Sequence, residues 1–139
     1  MNRMVLGVAL SADKSQVVLI RKRKPDWMAN KLNGIGGKIE EDEDALAAMV
    51  REFSEEAGYE TDAAEWEQCG TLSGVDFHVT CFRRFSDDIY QLEPHGRVSN
   101  GEVVAVRRVA SLKHDETVRP LIDVIAAAVN NRKIELVWS

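Results

Sequence analysis

Residues 37–59 read GKIEEDEDALAAMVREFSEEAGY, and eight of these 23 positions carry a carboxylate. Like charges on one helix face repel, so the crowding needs a physical reason. The stretch is helical by pattern. Leu46, Met49, Val50, Phe53 and Ala57 recur at i, i+3, i+4, i+7 and i+11, a single apolar stripe. Asp42 is the predicted N-cap, with Glu43 and Asp44 in the first turn, where acids favour the helix dipole. Gly58 stands where a helix stops in a left-handed residue. At about 100° per residue, Glu52, Glu55 and Glu56 fall within roughly one third of the circumference, beside the stripe. The core would then hold the backbone still while the adjoining side presents three carboxylates. Such a cluster becomes favourable around a hard divalent cation such as Mg²⁺, which prefers oxygen ligands and also takes phosphate oxygens. Spacing alone leaves a solvated acidic face as the alternative.

The flanking sequence predicts mixed strands. Val5–Leu10 and Val17–Ile20 are apolar runs joined across Ser11-Ala12-Asp13-Lys14. Pro25-Asp26 marks a loop. The glycine-rich run Lys31–Gly37 passes from strand into loop. Trp66–Leu72 and Val75–Phe85 read as strands around Ser73-Gly74. Residues 87–101 form a polar, turn-rich loop with room for a short strand. Glu102–Val109 is a further strand. Thr117–Asn130 is a second amphipathic helix with Leu121, Ile122, Ile125 and Val129 inward, and Ile134–Trp138 is a last strand. Strands interleaved with two separated helices predict one α/β domain over residues 1–139, its sheet covered by helices on both faces.

Composition narrows the function classes. The 139 residues are 45% apolar and 29% charged, which is globular rather than disordered. A net charge of −5 argues against a partner of long nucleic acid held by charge. A small nucleotide remains compatible if metal ions neutralise its phosphates. Cys69 and Cys81 lack metal-ligand spacing and read as buried thiols in a reducing compartment. The N-terminal MNRMVLGVALSADK lacks a signal-peptide core, and no apolar run reaches membrane-spanning length. A cytoplasmic protein without membrane contact, monomeric or homodimeric, is the expectation.

The spacing Gly37, five residues, Glu43, seven residues, Arg51-Glu52-Phe53-Ser54-Glu55-Glu56-Ala57-Gly58-Tyr59 resembles the Nudix box, G-x5-E-x7-R-E-U-x-E-E-x-G-U with U bulky and apolar. Average composition produces such a match on the order of once in 10⁹ windows. The resemblance implies a Nudix-type α/β/α sandwich with a mixed β-sheet between helices. It implies that Glu52, Glu55 and Glu56 ligate Mg²⁺, or Mn²⁺ in its place, and that a Gly37 carbonyl joins them. Arg51 would orient Glu52, Glu43 would brace Arg51, and Gly58 would end the helix. Members of the family hydrolyse a nucleoside diphosphate linked to another group. Their metal ions neutralise phosphate and position water while a carboxylate accepts a proton. Glu52, Glu56 and Glu102 are the candidate bases. Glu102, at a strand start after Ser99-Asn100-Gly101, is also a candidate ligand, with an ordinary strand-edge acid as the alternative.

Before the box, Lys31-Leu32-Asn33-Gly34-Ile35-Gly36-Gly37-Lys38 looks like the W-N-G-F-G-G-K segment of the MutT-like branch, which hydrolyses oxidised purine triphosphates such as 8-oxo-dGTP. The resemblance gives Asn33 a base-reading role, since an amide supplies both donor and acceptor; a turn-forming Asn before Gly34 is the alternative. Gly36 is a candidate substrate contact, and Lys38 meets phosphate or is a solvated lysine. Trp27 stacks on the base or serves as a lid or packing tryptophan, and Asp115 contacts the base edge or is a helix N-terminal acid. Arg21-Lys22-Arg23-Lys24 ends a strand beside the site. It offers charge to a triphosphate, with Arg23 the candidate contact, or is a solvated basic patch. Leu32 and Leu112 stand where the animal branch has tryptophans. The expected activity is pyrophosphate release from a modified purine dNTP. The alternatives are hydrolysis of ADP-ribose, a dinucleoside polyphosphate or an RNA 5′ end, and a sensing module that binds nucleotide without turnover.

Overall fold

Alternation along β1 (Asn2–Leu10) divides the core between two layers. Val5 and Ala9 face one side, while Leu6, Val8 and Leu10 face the other. The next strand, β2 (Gln16–Arg21), repeats the division, with Val18 and Ile20 against Val17 and Leu19. Strands that are apolar on both faces belong in the middle of a covered sheet. A computed structural model describes residues 1–92, 97–99 (backbone) and 101–139, and it places both strands there.

The sheet continues with β3 (Leu32–Asn33), β4 (Ile35–Lys38), β5 (Glu67–Ser73), β6 (Phe77–Phe85), β7 (Arg97–Ser99), β8 (Glu102–Arg108) and β9 (Ile134–Val137). Its order is β7-β8-β2-β1-β6-β5-β9, with β3 attached to β2 and β4 to β1. β1 runs parallel to β6, and β5 parallel to β9; the other pairs are antiparallel. β1 meets β2 at Leu10↔Val17 but pairs with β4 from Met4 to Gly7. The two central strands therefore diverge, and the glycine-rich segment fills the gap as two short strands. The sequence had suggested passage into a loop there. Paired strands dominate because Gly36 and Gly37 let β4 lie close to β1; a Cβ on Gly36 would come within 2.0 Å of the Val5 carbonyl oxygen.

Helix α1 (Ala45–Ala57) covers one face. Its cap is Asp44, whose carboxylate accepts the Ala47 N–H at 2.8 Å. The expected cap, Asp42, instead sits in a left-handed turn at φ 64°. Glu43 consequently lies in the loop before the helix. Met49, Phe53 and Ala57 are buried, with Leu46 and Val50 partly so. Phe53 meets Trp66 edge-on at 5.3 Å between ring centres, a burial that contributes roughly 2–3 kcal/mol. Gly58 closes the helix at φ 69°, donating its N–H to Ser54 O at 2.9 Å.

Helix α2 (Leu121–Val129) covers the other face and is shorter than the expected Thr117–Asn130. Thr117 forms a bridge with Leu32, and Val118 donates its N–H to Leu32 O at 2.8 Å, so these residues are extended. Leu121, Val124, Ile125, Ala127 and Ala128 are buried. Ile122, expected inward, is half-buried, and Val129 is half-buried but packs against this core. Cys69 and Cys81 are free and buried in this layer. β6 starts at Phe77 rather than Val75, which is exposed in the preceding turn. Part of the expected 87–101 loop, residues 93–96 and 100, lies outside the described residues. No helix among the described residues is long and apolar enough to cross a membrane.

Candidate active site

The register Val5↔Gly37 fixes the glycine loop against β1, beneath the second half of α1. A Cβ on Gly37 would lie 2.5 Å from Glu52 Oε1, so the missing side chain makes room for that carboxylate. Glycine at this position leaves the Glu52 carboxylate room to lie against β4.

Arg51 organises the acids. Its Nε and Nη2 donate to the two oxygens of Glu43 at 2.8 and 2.9 Å, a bidentate pair. Its Nη1 donates to Glu52 Oε1 at 2.9 Å and to Glu55 Oε2 at 3.3 Å. Its Nη2 also donates to Lys38 O at 2.9 Å, tying the guanidinium to β4. Hydrogen bonds from Arg51 hold the Glu43 carboxyl down to about 2, and those to Glu43 raise Arg51 in turn. Helical spacing placed Glu43 and Arg51 about two turns apart. In the fold Glu43 precedes the helix, and the turn at Asp42 brings it back to Arg51. Glu43 also accepts the Glu40 N–H at 2.9 Å.

Glu56 has a different environment. Its Oε2 is buried and has no hydrogen-bond partner. Burial, then the neighbouring Glu52 carboxylate, push its pKa up to about 9, making it a weaker acid; Glu102 adds to the rise and Lys22 opposes it. Glu102 faces the same layer from β8. Its Oε2 accepts the Arg23 N–H at 2.7 Å, and its Oε1 lies 3.3 Å from Lys22 Nζ. Burial pushes Glu102 up, but these donors outweigh it and leave its carboxyl below the usual range.

Glu55 is more exposed, at 59%, and turned toward Arg51. Among the described residues no three His, Cys, Asp or Glu side chains are gathered closely enough to hold an ion as they stand. The donor chemistry nonetheless fits a hard divalent cation. Glu56 presents an unpartnered buried oxygen beside Glu52, and burial and that neighbour keep it protonated; a divalent cation in place of the proton would let both carboxylates ionise.

The base-reading candidates surround this centre loosely. The Asn33 side-chain oxygen accepts the Gly34 N–H at 2.9 Å, the turn-type bond its sequence allowed. Asp115 is exposed in a short 3-10 turn, two residues before the Thr117 bridge to Leu32, which brings that turn to the end of β3 near Asn33. Trp27 is 66% exposed in the loop after β2. Arg23 and Lys38 are exposed, and the Arg23 side chain runs beside Gly101. Gly36 lies in the β4 pairing with β1.

Sequence reasoning missed Lys22 as a member of the carboxylate group. The signal was present. Val18, Ile20 and Lys22 alternate in phase, so the lysine follows two core residues onto the α1 face.

The family model described as NUDIX domain matches residues 1–126. No curated protein matches the chain by sequence. Solved structures share its fold. A MutT protein of Bacillus halodurans superposes with a TM-score of 0.74 at 15% identity, over 100% of this chain and 91% of that one. A NUDIX hydrolase of Nitrosomonas europaea gives 0.72 at 13% identity, over 99% and 78%. A MutT structure from a study of the Aliivibrio salmonicida and Vibrio cholerae proteins gives 0.67 at 23% identity, over 90% and 97%.

Proposed function

We propose, from the premise that the chain belongs to the NUDIX domain family and is a Nudix hydrolase, that it cleaves a nucleoside triphosphate to a nucleoside monophosphate and pyrophosphate. The preferred substrate in this reading is an oxidised or modified purine dNTP such as 8-oxo-dGTP, drawn from the cytoplasmic nucleotide pool. Nudix hydrolases act on small nucleotides and generally need a divalent metal; Mg²⁺ is the proposed ion, with Mn²⁺ as a substitute. The observation that carries the reading is the buried, unpartnered Glu56 Oε2 pressed against Glu52 beside the Arg51 hub.

Residue roles follow from these contacts. Glu52, Glu55, Glu56 and Glu102 would hold the metal, with the Gly37 carbonyl beside them. A bound divalent ion would neutralise phosphate oxygens and make water a better nucleophile. Arg51 keeps Glu52 pointed inward and, through Glu43, cannot rotate away. Glu52, Glu56 or Glu102 accepts the proton of the attacking water. Arg23 and Lys38 meet phosphate oxygens, Trp27 stacks, and Asn33 and Asp115 read the base edge. The Leu32–Thr117 bridge supports that last assignment by joining their two segments.

The test is a product assay. Purified protein with Mg²⁺ is offered dGTP, 8-oxo-dGTP, ADP-ribose and a dinucleoside polyphosphate. Pyrophosphate from the oxidised dNTP at the highest kcat/KM is the expected result. Ribose phosphate from ADP-ribose as the dominant product overturns the triphosphate reading, and binding without product in Mg²⁺ or Mn²⁺ overturns hydrolysis.

A further inference from the structure

The β2–β8 ladder ends at Arg21↔Val103, and Lys22, the next residue, reaches Glu102 at the start of β8 through its side chain. Both lie on the α1 side. Ile20 and Val104 precede and follow them on that face, packed in the core under the helix. The Lys22 ammonium lies 3.3 Å from Glu102 Oε1, and its side chain is only 20% exposed. The other Glu102 oxygen accepts the N–H groups of Arg23 at 2.7 Å and Lys24 at 3.5 Å. Both oxygens of this candidate ligand are therefore engaged by the end of β2. The charge of Lys22 also reaches Glu56 across the layer.

We propose that Lys22 is a resident cation of the site, a positioning residue that holds Glu102 and makes divalent-ion binding depend on nucleotide. The inference rests on the hydrolase reading above. An ammonium donates hydrogen bonds but cannot ligate a metal, and its charge repels a divalent ion. An ion entering beside Glu56 and Glu102 therefore works against Lys22. A triphosphate changes the balance, because its oxygens give the ammonium a second anionic partner. Glu102 is then released toward the ion. Ion and nucleotide bind with positive linkage, each raising the affinity of the other by one factor. Phosphate oxygens that ligate the ion would give linkage by themselves, so the share that Lys22 supplies is the share lost when its charge is removed; a lysine serving only as a clip between β2 and β8 would leave the linkage and the nucleotide-free affinity unchanged.

The experiment measures Mn²⁺ binding by electron paramagnetic resonance, with and without α,β-methylene-dGTP, whose bridging carbon blocks cleavage. In the wild-type protein the analogue should tighten Mn²⁺ binding at least about tenfold. Lys22→Gln keeps a hydrogen-bond donor and removes the charge. It should tighten Mn²⁺ binding to the nucleotide-free protein at least about tenfold and shrink the effect of the analogue. Lys22→Arg should retain the wild-type pattern. Unchanged or weaker Mn²⁺ affinity in Lys22→Gln, with a cooperative thermal melt, overturns the proposal and leaves the hydrolase reading intact. A wild-type protein whose Mn²⁺ affinity ignores the analogue overturns it without any variant. Failure of the wild-type protein to bind Mn²⁺ in either state overturns both.

Discussion

Glu56→Gln should stabilise the metal-free protein while removing its activity. Glu56 titrates near 4.5 in an unfolded chain and is pushed up to about 9 by burial and by Glu52. A group whose folded value is raised contributes stability that is fully present below its unfolded value and is lost as pH rises through the folded one. For Glu56 the window runs from 4.5 to about 9. At pH 7.5 the folded protein keeps a proton that the unfolded chain has released. Each unit of that mismatch is worth about 1.4 kcal/mol, so the loss is on the order of 2–4 kcal/mol. Glutamine has nearly the same shape and no charge to bury. In EDTA at pH 7.5, Glu56→Gln should melt roughly 5 °C or more above wild type. The two proteins should converge near pH 4, where the carboxyl is neutral in both states. Mg²⁺ should raise the wild-type midpoint much more than the variant's, and kcat should fall at least about 10²-fold. Differential scanning calorimetry across pH, paired with pyrophosphate release, reads every part. Equal midpoints in EDTA at pH 7.5 would refute the account of Glu56 as an unfavourably buried acid.

Three further outcomes follow from contacts elsewhere. Gly37→Ala places a Cβ 2.5 Å from Glu52 Oε1, so kcat should drop at least about 10²-fold with a normal far-ultraviolet circular dichroism spectrum; near-wild-type turnover would show that Glu52 can move freely. Glu43→Gln weakens the bidentate hold on Arg51, and steady-state kinetics should show kcat reduced about tenfold or more with KM little changed, since the loss falls on positioning rather than on substrate contact. Asp88→Ala deprives Arg84, 2% exposed, of its main partner and should cost about 3 kcal/mol in urea unfolding at pH 7. Arg84 holds the Asp88 carboxyl below the ordinary range, so its stabilising contribution is present above that range and fades as pH falls through the depressed value. The gap between wild type and Asp88→Ala should therefore narrow in strong acid, and a constant gap would rule out the ion pair as its source.

Local pattern determined much of this protein. A helical stripe from Leu46 to Ala57 and a glycine at position 58 require only neighbours along the chain, so α1 and its end could be read directly. The alternating β1 and β2 likewise carry their two-faced burial in sequence. The spacing of the box residues records which side chains share a helix face, and the chemistry expected of them came from the resemblance to the Nudix box.

Tertiary structure decided what spacing cannot encode. Asp44 rather than Asp42 caps α1 because the turn at Asp42 is left-handed, and that turn is what returns Glu43 to Arg51. Gly37 gained its purpose only when β4 paired with β1 and met Glu52. Lys22 entered the carboxylate group through a side-chain contact with Glu102, 80 residues away in the chain, at the end of the β2–β8 ladder. Such contacts depend on strand register and on the layer each element covers, which are properties of the assembled sheet rather than of any one segment.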